Sequence, residues 1–152
     1  MITFGEIKSG ISYTWRPGVY GIILKKEENL VALIDTGAGK YFLPGGGIEE
    51  NESHEECLIR EGKEEMGKLL ELGEWIGKAQ QYFYSKKDSA YYQVQGDFYF
   101  AKIVGDTEEP TEPDHYLRWL ETGEAVSKIF HDHQRWALQK ALAMIENKEQ
   151  RI

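Results

Sequence analysis

Pro44, Gly45, Gly46 and Gly47 form the stretch that most restricts what this chain can fold into. Three consecutive glycines carry no Cβ, so the backbone can adopt conformations closed to other residues and can lie directly against another group. The proline ahead of them has no amide donor and ends the strand that leads in. Tyr41 to Leu43 is therefore expected as a short strand that stops at Pro44, followed by a loop of unusual backbone freedom. Shortly beyond, Ser53 and Glu56 stand in the capping-box relation, a hydroxyl N-cap with an acid three residues on. Gly67 offers a left-handed exit, so the spacing predicts a helix between Ser53 and Gly67.

The charge pattern on that helix needs a reason. Glu61, Glu64 and Glu65 stand at i, i+3 and i+4, which places them on one face at ~100° per residue. Like charges so placed repel by roughly tenths of a kcal/mol each, and burial would raise that cost. A bound divalent cation removes the conflict. Oxygen-only ligands favour hard ions, so Mg²⁺ or Mn²⁺ is the expected metal, keeping waters and substrate phosphate oxygens in its remaining positions. Arg60 lies four residues before Glu64 and within reach of Glu52. Its fixed fork suits an orienting role, holding one carboxylate while the others face the ion. The glycines let backbone groups approach closely, which makes a carbonyl such as that of Gly45 a further ligand candidate and Gly46 and Gly47 candidates for substrate contact. The ordinary outcome for a Glu-rich segment is a solvated surface, and it is the joint spacing with Gly46, Arg60 and Gly67 that turns the balance.

Taken together, Gly46 to Lys68 resembles the Nudix (MutT-like) signature: Gly, five residues, Glu, seven residues, Arg-Glu-aliphatic, one residue, Glu-Glu, one residue, Gly-aliphatic. Every fixed position is met. The two departures are Gly62 and Lys68, which stand where the family usually has an aliphatic residue. Gly62 is expected to cost the helix roughly 1 kcal/mol relative to alanine, while Lys68 sits well beside the helix C-terminal dipole. The resemblance implies an α/β (α+β) fold, an α/β/α sandwich with a mixed β-sheet, a central signature helix and a C-terminal amphipathic helix. It also implies a hydrolase of phosphorus-containing acid anhydrides, a Mg²⁺-dependent pyrophosphohydrolase acting by water attack at phosphorus. Substrates would be nucleoside diphosphate derivatives: a nucleoside triphosphate, an oxidised nucleotide or a dinucleoside polyphosphate. On this pattern Glu61, Glu64 and Glu65 are the metal ligands, Glu61 or an acid outside the signature is the base, and Glu52 supports Arg60. In many relatives a further carboxylate comes from a later loop. Here Glu112 and Asp114, and behind them Glu108 and Glu109, stay open as candidates. A tyrosine about sixteen residues past the signature accompanies dinucleoside polyphosphate activity in some members, and Tyr84 falls at that distance from Lys68. Phe83 occupies the place of the proline that accompanies ADP-ribose activity.

The rest of the chain fits one domain over residues 1–152, since 152 residues with 41% hydrophobic content bury one ordinary core. Val19–Lys25 and Leu30–Asp35 read as a strand pair about a polar turn. Leu69–Ile76, Gln80–Tyr84 and Tyr91–Val104 read as further strands, with Tyr116–Leu120 a last one after an acidic, proline-bearing loop. Thr122 is expected to cap a brief helical turn, and Leu138, Ala141, Leu142 and Ile145 mark an amphipathic C-terminal helix. A formal charge of -8 disfavours duplex nucleic acid as a partner. A lone cysteine, no long apolar run and no export signal point to a cytoplasmic setting without a membrane segment. A monomer or homodimer acting on a small-molecule nucleotide is the expected form.

Other residues have plainer readings. Cys57 is explained better as a small buried hydrophobe than as a nucleophile. His131 and His133 flank Asp132, but residues at i and i+2 do not share a helix face. His54 and His115 are read as surface residues, with His115 close enough to the acidic loop to touch a phosphate. Tyr82, Phe83, Tyr84, Tyr91 and Tyr92 suit base stacking, although such residues are more often sheet core. The alternative to an enzyme is a non-catalytic nucleotide sensor on the same fold, which would be expected to have lost one of the three helix acids. A purely structural protein leaves the acidic cluster unexplained.

Overall fold

The structure, a computed structural model, describes residues 1–150. Alternation along β2 (Thr14–Lys25) sorts the chain into layers. Val19 and Ile23 face one side, while Tyr20, Ile22 and Leu24 face the other, as the two-residue period of a strand dictates. In β3 (Leu30–Asp35) Ala32 and Ile34 share the first side, and Val31 and Leu33 the second. The first side is covered by α1 (His54–Met66) through Cys57, Leu58 and Met66. The second is covered by α2 (Thr122–Lys128) and α3 (Asp132–Gln150) through Ala125, Ala137, Leu138 and Ala141. The result is an α/β/α sandwich. Its remaining strands are β1 (Ile2–Phe4), β4 (Tyr41–Phe42), β5 (Gly45–Gly47), β6 (Lys68–Ser85), β7 (Ala90–Asp106) and β8 (Tyr116–Glu121). The order is β1-β6-β7-β2-β3-β4, with β5 on β2 and β8 on β3. The sheet is mixed, since β1/β6 and β2/β7 run parallel and the other pairs antiparallel. Among the described residues no helix is long and apolar enough to cross a membrane.

Four expectations are corrected. The triple glycine is not a loop: β5 pairs antiparallel with β2, Gly47 opposite Gly18 and Gly45 opposite Tyr20. Without side chains, composition reads as a turn, but a neighbouring strand offers ladder partners that composition does not reveal. Leu69–Ile76 and Gln80–Tyr84 are one strand, β6, whose irregular positions around Leu72–Gly77 are absorbed as breaks in register against β7. Strand β2 begins at Thr14 rather than Val19, because β7 pairs in parallel with it from Tyr92 onward. Pro17 inside it lends no amide, but its carbonyl accepts from the Ile48 amide at 3.0 Å. Finally, Glu121 and not Thr122 caps α2, accepting from the Gly123 and Glu124 amides, while the Thr122 hydroxyl bonds the Asn29 side chain at 2.8 Å.

Gly62 is also more constrained than its helix cost suggested. A Cβ there would lie 2.7 Å from Cγ of Leu70 and 3.1 Å from the Lys68 carbonyl. Glycine is what allows β6 to fold back tightly against α1.

Candidate metal centre

Local chemistry fixes α1 before any ligand is considered. The Ser53 hydroxyl accepts from the Glu56 amide at 3.0 Å and the Glu56 carboxylate accepts from the Ser53 amide at 3.1 Å, closing the expected capping box. Gly67 exits with φ 65 and sends its amide back to Lys63 and Gly62. The helix is then pressed against β5. Oε1 of Glu65 accepts from the Gly45 amide at 2.9 Å, so Gly45 meets the acids through its N–H. At Gly46 a Cβ would stand 2.5 Å from Oε1 of Glu61. The absent side chain is space that the Glu61 carboxylate fills.

Arg60 reaches further than its sequence position indicated. Its Nε and Nη2 grip Glu52 at 2.7 and 2.9 Å, while Nη1 donates to Glu61 at 3.0 Å and to Glu64 at 3.1 Å. Nη2 also donates to the Gly47 carbonyl at 2.9 Å. One guanidinium thus ties three carboxylates and the glycine strand together. Hydrogen bonding from Arg60 holds the Glu52 carboxyl down to about 2. Arg60 itself stays charged.

The loop after β7 supplies the fourth acid. The Thr107 amide donates to the Gly67 carbonyl at 2.9 Å and the Glu112 amide to the Glu64 carbonyl at 3.1 Å, which pins the loop along the end of α1. One carboxylate oxygen from each of Glu61, Glu64 and Glu112 then falls within 4.8 Å of the others. Glu65, Glu112 and His115 form a second such group. Glu108, Glu109 and Asp114 enter neither. Glu61 and Glu65 are buried, and burial, together with the neighbouring acids, raises both. Glu61 is pushed up to about 7, against the pull of Arg60, and Glu65 well above its ordinary value, against the Gly45 hydrogen bond. Burial, then the charges of Glu65 and Glu61, also raise the Tyr20 hydroxyl, which places that ring beside the same cluster. Buried acids forced toward neutrality, all-oxygen and converging, fit a hard divalent cation, whose charge would let them ionise together.

The other candidates lie apart. Tyr84 is 47% exposed and packs at a tilt against Tyr91, with centroids 4.8 Å apart. Tyr92, next to that partner, pairs with Thr14, four residues from the Gly18 that faces Gly47, or roughly 13 Å along the strand. Phe83 and Tyr92 pack on the opposite side of the sheet from Tyr84, with Arg16 over the Tyr92 ring at 3.9 Å. His131 and His133 are held neutral by burial, down to about 4 and about 3. His133 rests against Gln81 and edge-on to Tyr20, and it enters neither group of converging donors. Cys57 is buried, its thiol pushed up to about 12 by desolvation, and touches the Gly46 and Gly47 carbonyls at 3.6 Å. The plain hydrophobic reading of Cys57 holds.

Sequence reasoning passed over three residues here. Tyr20 sits one face turn from Val19 in an apolar run and carried no signal. Gln134 accepts the Leu43 amide at 2.8 Å and so anchors the chain entering β5 from ninety-one residues away, a contact invisible in one dimension. His115 reads from sequence as a surface residue within reach of a phosphate, not as a partner of the acids. Its one legible hint was its position three residues after Glu112.

Comparison with known proteins bears on the family and the fold. The family model described as NUDIX domain matches residues 14–141. The RNA pyrophosphohydrolase of a Nitratiruptor species is 34% identical, the match covering 66% of this chain and 76% of that protein. Nudix hydrolase 4 of Arabidopsis thaliana is also 34% identical, over 85% of this chain and 58% of its own length. Among solved structures, a NUDIX hydrolase from Nitrosomonas europaea superposes with a TM-score of 0.67 over 84% of this chain and 88% of that one. At 16% identity that likeness speaks for the fold alone.

Proposed function

Because the chain belongs to the NUDIX family of hydrolases, we propose that it is a Mg²⁺-dependent pyrophosphohydrolase. It cleaves a phosphoanhydride bond in a nucleoside diphosphate linked to a second moiety, by water attack at phosphorus. One observation carries this reading: Glu112, far away in sequence, is delivered to Glu61 and Glu64 with carboxylate oxygens within 4.8 Å. Glu61, Glu64, Glu65 and Glu112 would hold the ion. When bound, a divalent cation neutralises phosphate charge and acidifies water. The chain's own groups do the rest. Glu52, ionised above about pH 2, keeps Arg60 in place, and Arg60 holds Glu61 and Glu64 side by side despite their repulsion. Its Nη1 occupies Oε1 of Glu61, which leaves Oε2 to accept a proton from the attacking water, with Glu112 the other acceptor in range. Gly46 and Gly47 present bare backbone to the phosphates, and Tyr84 offers an exposed ring to a base at the far end of a long substrate.

The substrate set comprises nucleoside triphosphates, oxidised nucleotides and dinucleoside polyphosphates. The kinship with an RNA pyrophosphohydrolase adds a 5′-triphosphate RNA end to the compounds worth testing. The competing reading, a nucleotide sensor without turnover, is disfavoured because Glu61, Glu64 and Glu65 are all retained. Release of phosphate or pyrophosphate should be measured across this panel with and without Mg²⁺, in wild type and in Glu64→Gln and Glu65→Gln. We expect turnover of at least one substrate, and a loss of roughly a hundredfold or more in each variant without unfolding. Wild-type silence on every substrate favours the sensor, and undiminished variants remove these acids from the chemistry.

A further inference from the structure

The acids are not the whole of the ligand set. His115 leads from the acidic loop into β8, and its side chain is 31% exposed. Its Nδ1 atom nonetheless points inward and is buried. That nitrogen touches Oε2 of Glu112 and stands 3.8 Å from Oε2 of Glu65, yet it makes no hydrogen bond of acceptable direction with either. Glu65 is itself almost fully enclosed, at 6% exposure. Two carboxylates and a buried ring nitrogen thus converge on one enclosed corner, each with a donor atom turned toward the others.

We infer that Glu65, Glu112 and His115 form a mixed nitrogen–oxygen subsite for a borderline divalent ion of the Co²⁺ or Zn²⁺ class, which Mn²⁺ can also enter, beside the all-oxygen subsite of Glu61, Glu64 and Glu112. Three features support the assignment. The donor atoms of the three residues lie within 4.8 Å of one another, a spacing that one ion can span. Two carboxylates and a neutral imidazole match a divalent charge, whereas the all-oxygen group has a third carboxylate and the Arg60 guanidinium beside it. An imidazole ligand also sorts metals: it suits Zn²⁺ and Co²⁺ best, is accepted by Mn²⁺ and adds little for Mg²⁺. The two subsites share Glu112, so ions held in both would lie close to one another. For binding through Nδ1 the imidazole carries its proton on Nε2, and Nδ1 presents its lone pair to the ion.

This inference rests on the reading that Glu65 and Glu112 hold metal, and the test separates the two. The full chain is loaded with Mn²⁺ and its electron spin echo modulation recorded, once with natural histidine and once with ¹⁵N-labelled histidine. We expect ¹⁴N modulation typical of a bound imidazole, replaced by a ¹⁵N pattern on labelling and lost in His115→Gln. In the same variant the Mn²⁺ dissociation constant should rise roughly tenfold or more, while that for Mg²⁺ moves less than about threefold. Glutamine can still donate to Glu112, so a histidine that merely positions the carboxylate would leave Mn²⁺ affinity near wild type. Mn²⁺ bound with no histidine nitrogen, or modulation that survives in His115→Gln, overturns the inference while leaving the all-oxygen site standing. Absence of any Mn²⁺ or Mg²⁺ binding overturns the metal reading itself, and this inference with it.

Discussion

Gly46→Ala should separate the metal site from the fold. A Cβ at this position would stand 2.5 Å from Oε1, 2.7 Å from Cδ and 3.0 Å from Oε2 of Glu61. Ordinary contact begins at 3.4 Å, so the carboxylate must retreat by the difference, about 0.9 Å. The obstacle is the end of a flexible side chain, so the protein should give way there rather than in its backbone, at a stability cost of about 1 kcal/mol, the low end for overpacking. The chemistry has no such latitude. A displacement near 1 Å costs on the order of a hundredfold, or ~2.7 kcal/mol of transition-state stabilisation. Gly45→Ala is the contrast. Its Cβ would fall 2.2 Å from the Val19 carbonyl and 2.7 Å from Cα of Tyr20, at φ 137, where only backbone can move and a side chain is strained. We therefore expect Gly46→Ala to keep its Tm within a few degrees, to bind Mn²⁺ roughly tenfold more weakly and to lose about a hundredfold in kcat/KM, whereas Gly45→Ala loses the cooperative transition or much of its Tm. Equal destabilisation in the two variants, or full activity in Gly46→Ala, would refute the reasoning.

Two further outcomes follow from the same geometry. Metal-free protein should lose thermal stability as pH rises. Glu61 and Glu65 hold their protons longer when folded, so their contribution is complete below the unfolded value of 4.5 and disappears as pH climbs through about 7 for Glu61. For Glu61 the span corresponds to roughly 3 kcal/mol, which residual hydration of the carboxylate cuts to about 1–2 kcal/mol. Glu52 acts oppositely, its contribution present above 4.5 and lost as pH falls toward about 2. Thermal melts from about pH 4.5 to about pH 8 with chelator and with excess Mg²⁺ check this, and a decline that Mg²⁺ does not relieve counts against metal binding by these acids. Gly62→Ala should destabilise the fold despite a helix propensity gain of about 1 kcal/mol. The new Cβ meets Leu70 at 2.7 and 2.9 Å in the core beneath α1, an overpacking cost of about 1–3 kcal/mol. A raised midpoint in urea denaturation would show that β6 yields more easily than the packing implies.

The chain itself determined the signature helix. Its cap, its exit and the shared face of Glu61, Glu64 and Glu65 depend on contacts no more than five residues apart, and such contacts are written in spacing. The periodicity of Leu138, Ala141 and Leu142 likewise announced α3, while the apolar runs of β2 and β3 announced strands without showing which residue faces which layer. Other features came only from tertiary structure. The glycine run became a strand because β2 lay beside it with unpaired backbone groups. Glu112 was chosen over Asp114, Glu108 and Glu109 because backbone bonds from Thr107 and Glu112 to Gly67 and Glu64 set the loop's register on α1. His115 left the surface class for the same reason. Carboxylate and imidazole atoms converge only after segments some fifty residues apart have docked, and one-dimensional spacing, which encodes local geometry, holds no record of that distance.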